Sequence, residues 1–329
     1  MAGPVDEVNA LLKQMAVEKV AEDVFISKEP PARMGNKKSI AYGGCTRAFA
    51  MNAASQTVKT GFNLYSCLGF FLGPARIDRS VKCTVYRIRE TKSFATRRVV
   101  VSQTLPDGSE RRCLEVTADF QATEPAAFMV FQPAPLRQYQ MPPQVQSKSE
   151  ARDHFIAGGM ATEHSGTRLD DMFILMSRCW EQKPCPEGVS GQNLLGFAKH
   201  LTTDQDHLPI VDKVSAEWYR AKGDLPTTAD QVSALAFNMD GGLAFIPLIH
   251  DHKYLEDVGA CSSLDFALRV FSNSFDLTKW HLKERKAIAG EGGRTYSEAR
   301  LFDEAGNLVA IESQQSIMRP PPTKQTVKL

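Results

Sequence analysis

At 329 residues the chain is long enough for two ordinary domains, each able to bury its own core. A formal net charge of +1, from 39 basic and 38 acidic residues spread along the chain, leaves no electrostatic footprint for nucleic acid or an anionic membrane surface. The longest apolar stretches, such as 68–72, are far too short to span a bilayer, and the first residues mix acids with apolar groups, so a soluble, unsecreted protein is expected.

Seven cysteines, an odd number with no C-x-x-C pair, signal neither a disulfide framework nor a zinc site, and reduced thiols are expected. His250 and His252 share the parity of one strand face, yet no carboxylate or cysteine pattern completes a metal site around them. A polar loop is the expectation there, with no metal ligands.

In chain order, the first element with a clear signature opens at Gly43 and Gly44 and carries Phe49, Ala50, Ala53, Ala54 and Val58 on one face. That pattern predicts a helix whose small residues let a sheet wrap closely around it. Strands follow: Val81, Cys83 and Val85 alternate with Lys82, Thr84 and Tyr86, then 97–103 runs into the turn Pro106-Asp107-Gly108, and 113–121 returns.

The stretch 121–208 is less regular. Its prolines between Pro133 and Pro143 remove donors and fix extended backbone, as a linker does. Phe173-Ile-Leu-Met176 and Trp180 need burial, so a strand of a second sheet is expected to begin there.

The second half repeats the plan of the first. Thr227 and Asp230 stand at capping-box spacing before a run in which Val232, Leu235, Ala236 and Met239 recur at helical spacing. Gly241 and Gly242 stop that helix, which leaves Asp240 at its C-terminal end, where the macrodipole is unfavourable to a carboxylate. Three or four strands fit between Cys261 and Met318, with 303–307 as a hairpin turn. Read by themselves, Asp240, Ser263 and Gln314 are either a shared polar site or a solvated aspartate, a strand hydroxyl and a solvent-facing amide.

Several segments, in order, resemble one family. They are 8–25, Tyr42-Gly-Gly44, Phe70-Phe-Leu-Gly-Pro74 and 92–99 in the first half. In the second half they are Glu217-Trp-Tyr-Arg-Ala-Lys-Gly-Asp-Leu-Pro226, Phe237-Asn-Met-Asp240, Ser262-Ser-Leu-Asp265 and 307–319. The resemblance is to acyl-CoA thioesterase II, the TesB type, and covers nearly the whole chain. It implies an α+β double hotdog: an N-terminal unit over 1–125, a connecting segment over 126–207 and a C-terminal unit over 208–329, with the two sheets joined edge to edge.

The same resemblance implies that Asp240, Ser263 and Gln314 position the water that attacks an acyl-CoA thioester, with no metal or redox cofactor. Asp240 would take the proton, while Ser263 and Gln314 hold the water in line. Gly43 and Gly44, through backbone amides, and Arg269 are the expected substrate contacts. The chain departs from the family at Phe266 and Phe271, where histidines are common, at Arg269, Tyr65, Leu68 and Gly73, so the acyl group is less defined than the reaction class.

Two further readings share this scaffold: release or cyclisation of a carrier-bound biosynthetic acyl chain, and non-catalytic binding of an acyl thioester. A covalent route through Ser263 or Cys261 lacks a histidine in the motif and a Gly-x-Ser-x-Gly elbow. A homo-oligomer is expected from exposed sheet edges, with no nucleic-acid partner and no membrane span. The ending Thr326-Val-Lys-Leu329 is similar to a Ser-Lys-Leu peroxisomal signal, with bulkier Val327 in place of a small residue; a cytoplasmic location is the alternative.

Overall fold

The computed structural model describes residues 9–36 and 38–321, so the Val-Lys-Leu ending lies outside the described residues. Among the described residues twelve strands form one antiparallel sheet: β1 (Val17–Ala21), β2 (Val24–Ser27), β3 (Phe62–Phe71), β4 (Lys82–Glu90), β5 (Phe94–Thr104), β6 (Glu110–Ala122), β7 (Trp180–Pro184), β8 (Ser215–Ala221), β9 (Ala260–Val270), β10 (His281–Glu291), β11 (Arg294–Asp303) and β12 (Leu308–Arg319). Their spatial order is β1-β2-β4-β5-β6-β3-β9-β12-β11-β10-β8-β7, two six-stranded halves in mirrored order that meet where β3 pairs with β9. Joining the halves there pairs two strands that would otherwise be open edges.

Seven α-helices accompany the sheet among the described residues: α1 (Ala10–Met15), α2 (Gly43–Ser55), α3 (Lys148–Ala157), α4 (Glu163–Cys179), α5 (Val189–Gln192), α6 (Thr228–Met239) and α7 (Ile246–His250). Residues 44–54 of α2 are all buried, which is why the run is nearly all apolar or small: a helix enclosed on every side has no solvent face to supply with polar groups. It packs against β5 and β6 on one side and against α6 on the other. α6 begins with the capping box read from the sequence, Thr227 Oγ1 accepting from the Asp230 N–H at 3.1 Å while the Asp230 carboxylate accepts from the Thr227 N–H. None of the described helices is long and apolar enough to cross a membrane.

Two expectations need correction. Phe173 to Met176 lie in α4, which buries Phe173, Leu175 and Met176 and leaves Ile174 exposed; the strand begins only at Trp180, as β7, which pairs with β8 and so belongs to the second half of the sheet. The polar-loop reading of 250–252 fails for His250. It is buried at the end of α7, its Nε2 3.0 Å from Ser215 Oγ, while His252 sits in the left-handed region with Nε2 2.7 Å from Asp206 Oδ1.

Where the halves join, Gly69 of β3 stands opposite Phe266 of β9. A Cβ at Gly69 would lie 2.6 Å from the Phe266 ring and 2.7 Å from Val116, so the missing side chain is what lets that ring fill the junction. Gly69→Ala is expected to destabilise the fold by about 1–3 kcal/mol, read as a lower denaturation midpoint with an unchanged m-value.

Burial, reinforced by the nearby Lys213 ammonium, pushes the His250 imidazole down to about 3. Because the folded value is depressed, neutral His250 contributes stability above the ordinary histidine range, and that contribution is lost as pH falls towards the folded value. Urea denaturation at pH 7 and pH 5 should show a loss of stability on acidification, and His250→Gln should remove roughly 2 kcal/mol of it.

Candidate active site

The α6 helix ends at Asp240, whose carboxylate turns away from its own helix and meets the first turn of α2. There the Gly44 N–H, at the positive end of the α2 dipole, favours its ionised form, and it receives Arg47 Nη1 at 3.3 Å. The cost expected from its place at the α6 C-terminus is met differently: Lys283 Nζ from β10 donates to the carbonyls of Asn238 at 2.7 Å and Gly241 at 3.1 Å, and Arg285 Nη1 donates to Gly241 at 3.3 Å. Cations therefore complement the α6 C-terminus while the carboxylate uses the N-terminus of another helix.

Close approach of the two helices requires the glycine pair. Tyr42 donates its hydroxyl to the Phe237 carbonyl at 2.7 Å, and a Cβ at Gly44 would lie 2.3 Å from the Tyr42 ring and 2.6 Å from that carbonyl. At Gly43 a Cβ would stand 2.9 Å from Asp240 Oδ2. Gly43 lines the cavity in front of the carboxylate, while Gly44 does not line it.

Ser263 reaches the same cavity through a bulge. In β9 the residues Phe266, Leu268 and Val270 point into the core, so strict alternation would turn Ser263 outward. The β9–β12 register shifts between Asp265 and Ser263, with Leu264 as the extra residue, and this brings Ser263 back to the inner face opposite Ser316. Gln314, on the inner face of β12, donates Nε2 to Ser263 Oγ and, at 3.3 Å, to Ser316 Oγ. As an acceptor from that amide, Ser263 keeps its own proton to donate. Gln314 Oε1 is buried with no partner among the described residues.

Asp240 and Ser263 thus line one cavity of about 630 Å³, whose apolar wall is built by Met34, Met172, Phe245, Tyr254 and Leu255. Gln314 is tied to it through Ser263. Arg269 does not join them: it is exposed on the outward face of β9, opposite Ser66, and the strand's register keeps its charge off the cavity wall. Cys261 lines the cavity with its Sγ donating to the Ala244 carbonyl, and burial pushes that thiol up to about 12, so the nucleophilic thiolate is scarce at neutral pH. Ser263 has an amide as partner, which takes no proton.

A buried charge cluster behind Asp240 was not anticipated. Arg47 makes a two-pronged ion pair with Glu312, Nη1 to Oε1 at 2.7 Å and Nη2 to Oε2, and its guanidinium lies 3.8 Å from the centre of the Phe266 ring. Burial alone would lower the Arg47 affinity for its proton, but Glu312 and then Asp240 outweigh it and keep the group charged. Burial lifts Asp240 above the ordinary aspartate value, with Arg47 and the Gly44 N–H opposing it. Lys283 is pushed down to about 7 by burial, against the pull of Glu312 and Asp240. Glu312 was legible in principle, two residues before Gln314 on the same face; Arg47 is the one cation in an otherwise small and apolar helix.

Two helix-wrapped half-sheets joined edge to edge, with Asp240 and Ser263 lining one cavity whose wall is largely apolar, make the double-hotdog architecture. The model of the acyl-CoA thioesterase N-terminal domain matches residues 30–121 and that of the C-terminal domain matches 181–318, and the chain belongs to this acyl-CoA thioesterase family, of the TesB type. It is 21% identical over 316 residues to acyl-CoA thioesterase 2 of Haemophilus influenzae, covering 95% of this chain and 98% of that one. In fold it is similar to a tesB protein of Mycobacterium avium subsp. paratuberculosis (TM-score 0.69, 19% identity, 94% of this chain and 98% of that one). It is similar as well to the acyl-CoA thioesterase II TesB2 of Mycobacterium marinum (TM-score 0.66, 19% identity, 94% and 98%).

Proposed function

We propose that this chain hydrolyses acyl-CoA thioesters to a free carboxylic acid and CoA, with Asp240 as general base and Ser263 and Gln314 holding the attacking water. The observation that carries the reading is the convergence of a buried carboxylate and the Gln314-bound hydroxyl of Ser263 on one cavity with an apolar wall. A raised carboxyl is a better base than an ordinary aspartate, provided it is ionised at the working pH, and Arg47 favours the ionised form. Water between Asp240 and Ser263 would give a proton to the carboxylate as its oxygen attacks the thioester carbonyl. The thiolate that leaves is stable near neutral pH and needs little help from an acid. The apolar wall suits the acyl portion of the substrate.

Replacing Asp240 by Asn keeps the size but removes the base, so turnover measured as thiol release over short, medium, long and branched acyl-CoAs should fall roughly a hundredfold or more. Ser263→Ala and Gln314→Ala should lower it less, and their effects should not add. Near-normal turnover by Asp240→Asn on a substrate the wild type cleaves would rule the base out.

Self-association is part of the same reading. Leu68 and Phe70 on β3, Leu72 just after it and Phe271 just after β9 are exposed at the junction of the two halves, an apolar surface suited to a second copy. Light scattering should give a mass above the 36.4 kDa of one chain, and 36.4 kDa at every concentration would exclude it.

A further inference from the structure

Arg47 is shared. It is fully buried, stacked on Phe266, and its Nη1 alone touches two carboxylates, Glu312 Oε1 at 2.7 Å and Asp240 Oδ1 at 3.3 Å, while Nη2 goes to Glu312. The geometry is unequal: Glu312 holds both prongs and Asp240 has one longer contact. Glu312 does not line the cavity and cannot touch a substrate there. In a medium of low dielectric a guanidinium paired only with Asp240 would hold that carboxylate strongly ionised and make it a poor base.

We propose that Glu312 is a positioning residue that sets the proton affinity of Asp240 by drawing the charge of Arg47 onto itself, leaving the carboxylate at the cavity ionised yet basic. This rests on the reading of Asp240 as general base. The device also spans the two halves of the chain, since Arg47 comes from α2 in the first and both carboxylates from the second.

The other titratable groups facing the cluster are few. Tyr42 precedes α2 and Cys45 lies on it, and burial raises both; Cys67 on β3 is pushed up to about 12 in the same way. These three stay neutral across the working range. From β10, Lys283 is the second cation and titrates near neutrality, and Arg285 is occupied by Glu217 and the Gly241 carbonyl.

The test is the pH dependence of turnover on any acyl-CoA the wild type cleaves. Glu312→Gln keeps the shape but leaves Asp240 as the sole counter-ion of Arg47, so the acid limb should move down by about one pH unit and the plateau should fall several-fold. The neutral pair Arg47→Gln with Glu312→Gln removes the cation as well and should move the limb up by about one unit. A limb belonging to Lys283 would vanish in Lys283→Met, whereas one belonging to Asp240 persists there.

Opposite shifts in the first two variants support the proposal. Loss of plateau rate or of thermal stability with an unmoved limb, or shifts of the same sign, overturns it. The 13C resonance of the Asp240 carboxyl, assigned by its absence in Asp240→Asn, titrates in the same variants and needs no turnover. If Asp240→Asn left activity intact while this resonance shifted in opposite directions, the base assignment would fall and the charge-sharing would stand. If Glu312→Gln alone did not fold, the neutral pair and the carboxyl titration would decide.

Discussion

Arg47 is a charge held in the core between two halves of one chain, and its burial sets much of what surrounds it. Removing a guanidinium from water is costly unless its donors are met by well-placed acceptors. Glu312 meets three of the requirements at once: opposite charge, two-pronged geometry and enclosure. Phe266 covers the flat face of the group, and Gly69 makes room for the ring. Taking away one partner leaves the other buried and unpaired, so the α2–α6 contact, the β3–β9 junction and the cavity floor depend on one another through this cluster.

The same cluster explains how a carboxylate stands at the end of a helix without opposing its dipole. Lys283 and Arg285 take the carbonyls at the α6 C-terminus, and Asp240 faces the start of α2. Two helix ends of opposite sign are brought side by side, and each finds the charge that suits it. The small residues of both helices make this approach possible, because a side chain at Gly44 would collide with Tyr42 and the Phe237 carbonyl.

Periodicity revealed the elements that obey it. The helical run before Asp240, its Thr227 cap, the alternating strands around Val81–Val85 and the turn at 106–108 all emerge where local pattern and tertiary environment agree. The register that aims Ser263 inward was not legible, because a bulge at Leu264 inverts the parity that alternation alone would give. Arg269 shows the converse: it was expected as a substrate contact, and its parity places it on the outer face. Phe173–Met176 was apolar enough for either element, and α4 took it. Arg47 and Glu312 lie 265 positions apart, and local pattern carries no information about such a pair.

The proposal that water is the attacking group draws on what the nucleophile candidates lack. The Cys261 thiol is buried and bonded to a carbonyl, and the Ser263 hydroxyl is held by an amide that accepts no proton. The most direct measurement is intact-protein mass spectrometry on wild type and Asp240→Asn, quenched on the millisecond scale during turnover of an acyl-CoA. Activated water predicts the mass of the bare chain at every time point. An added acyl mass that maps to Ser263 or Cys261, forms and decays at the rate of turnover, and is lost with that residue would contradict it.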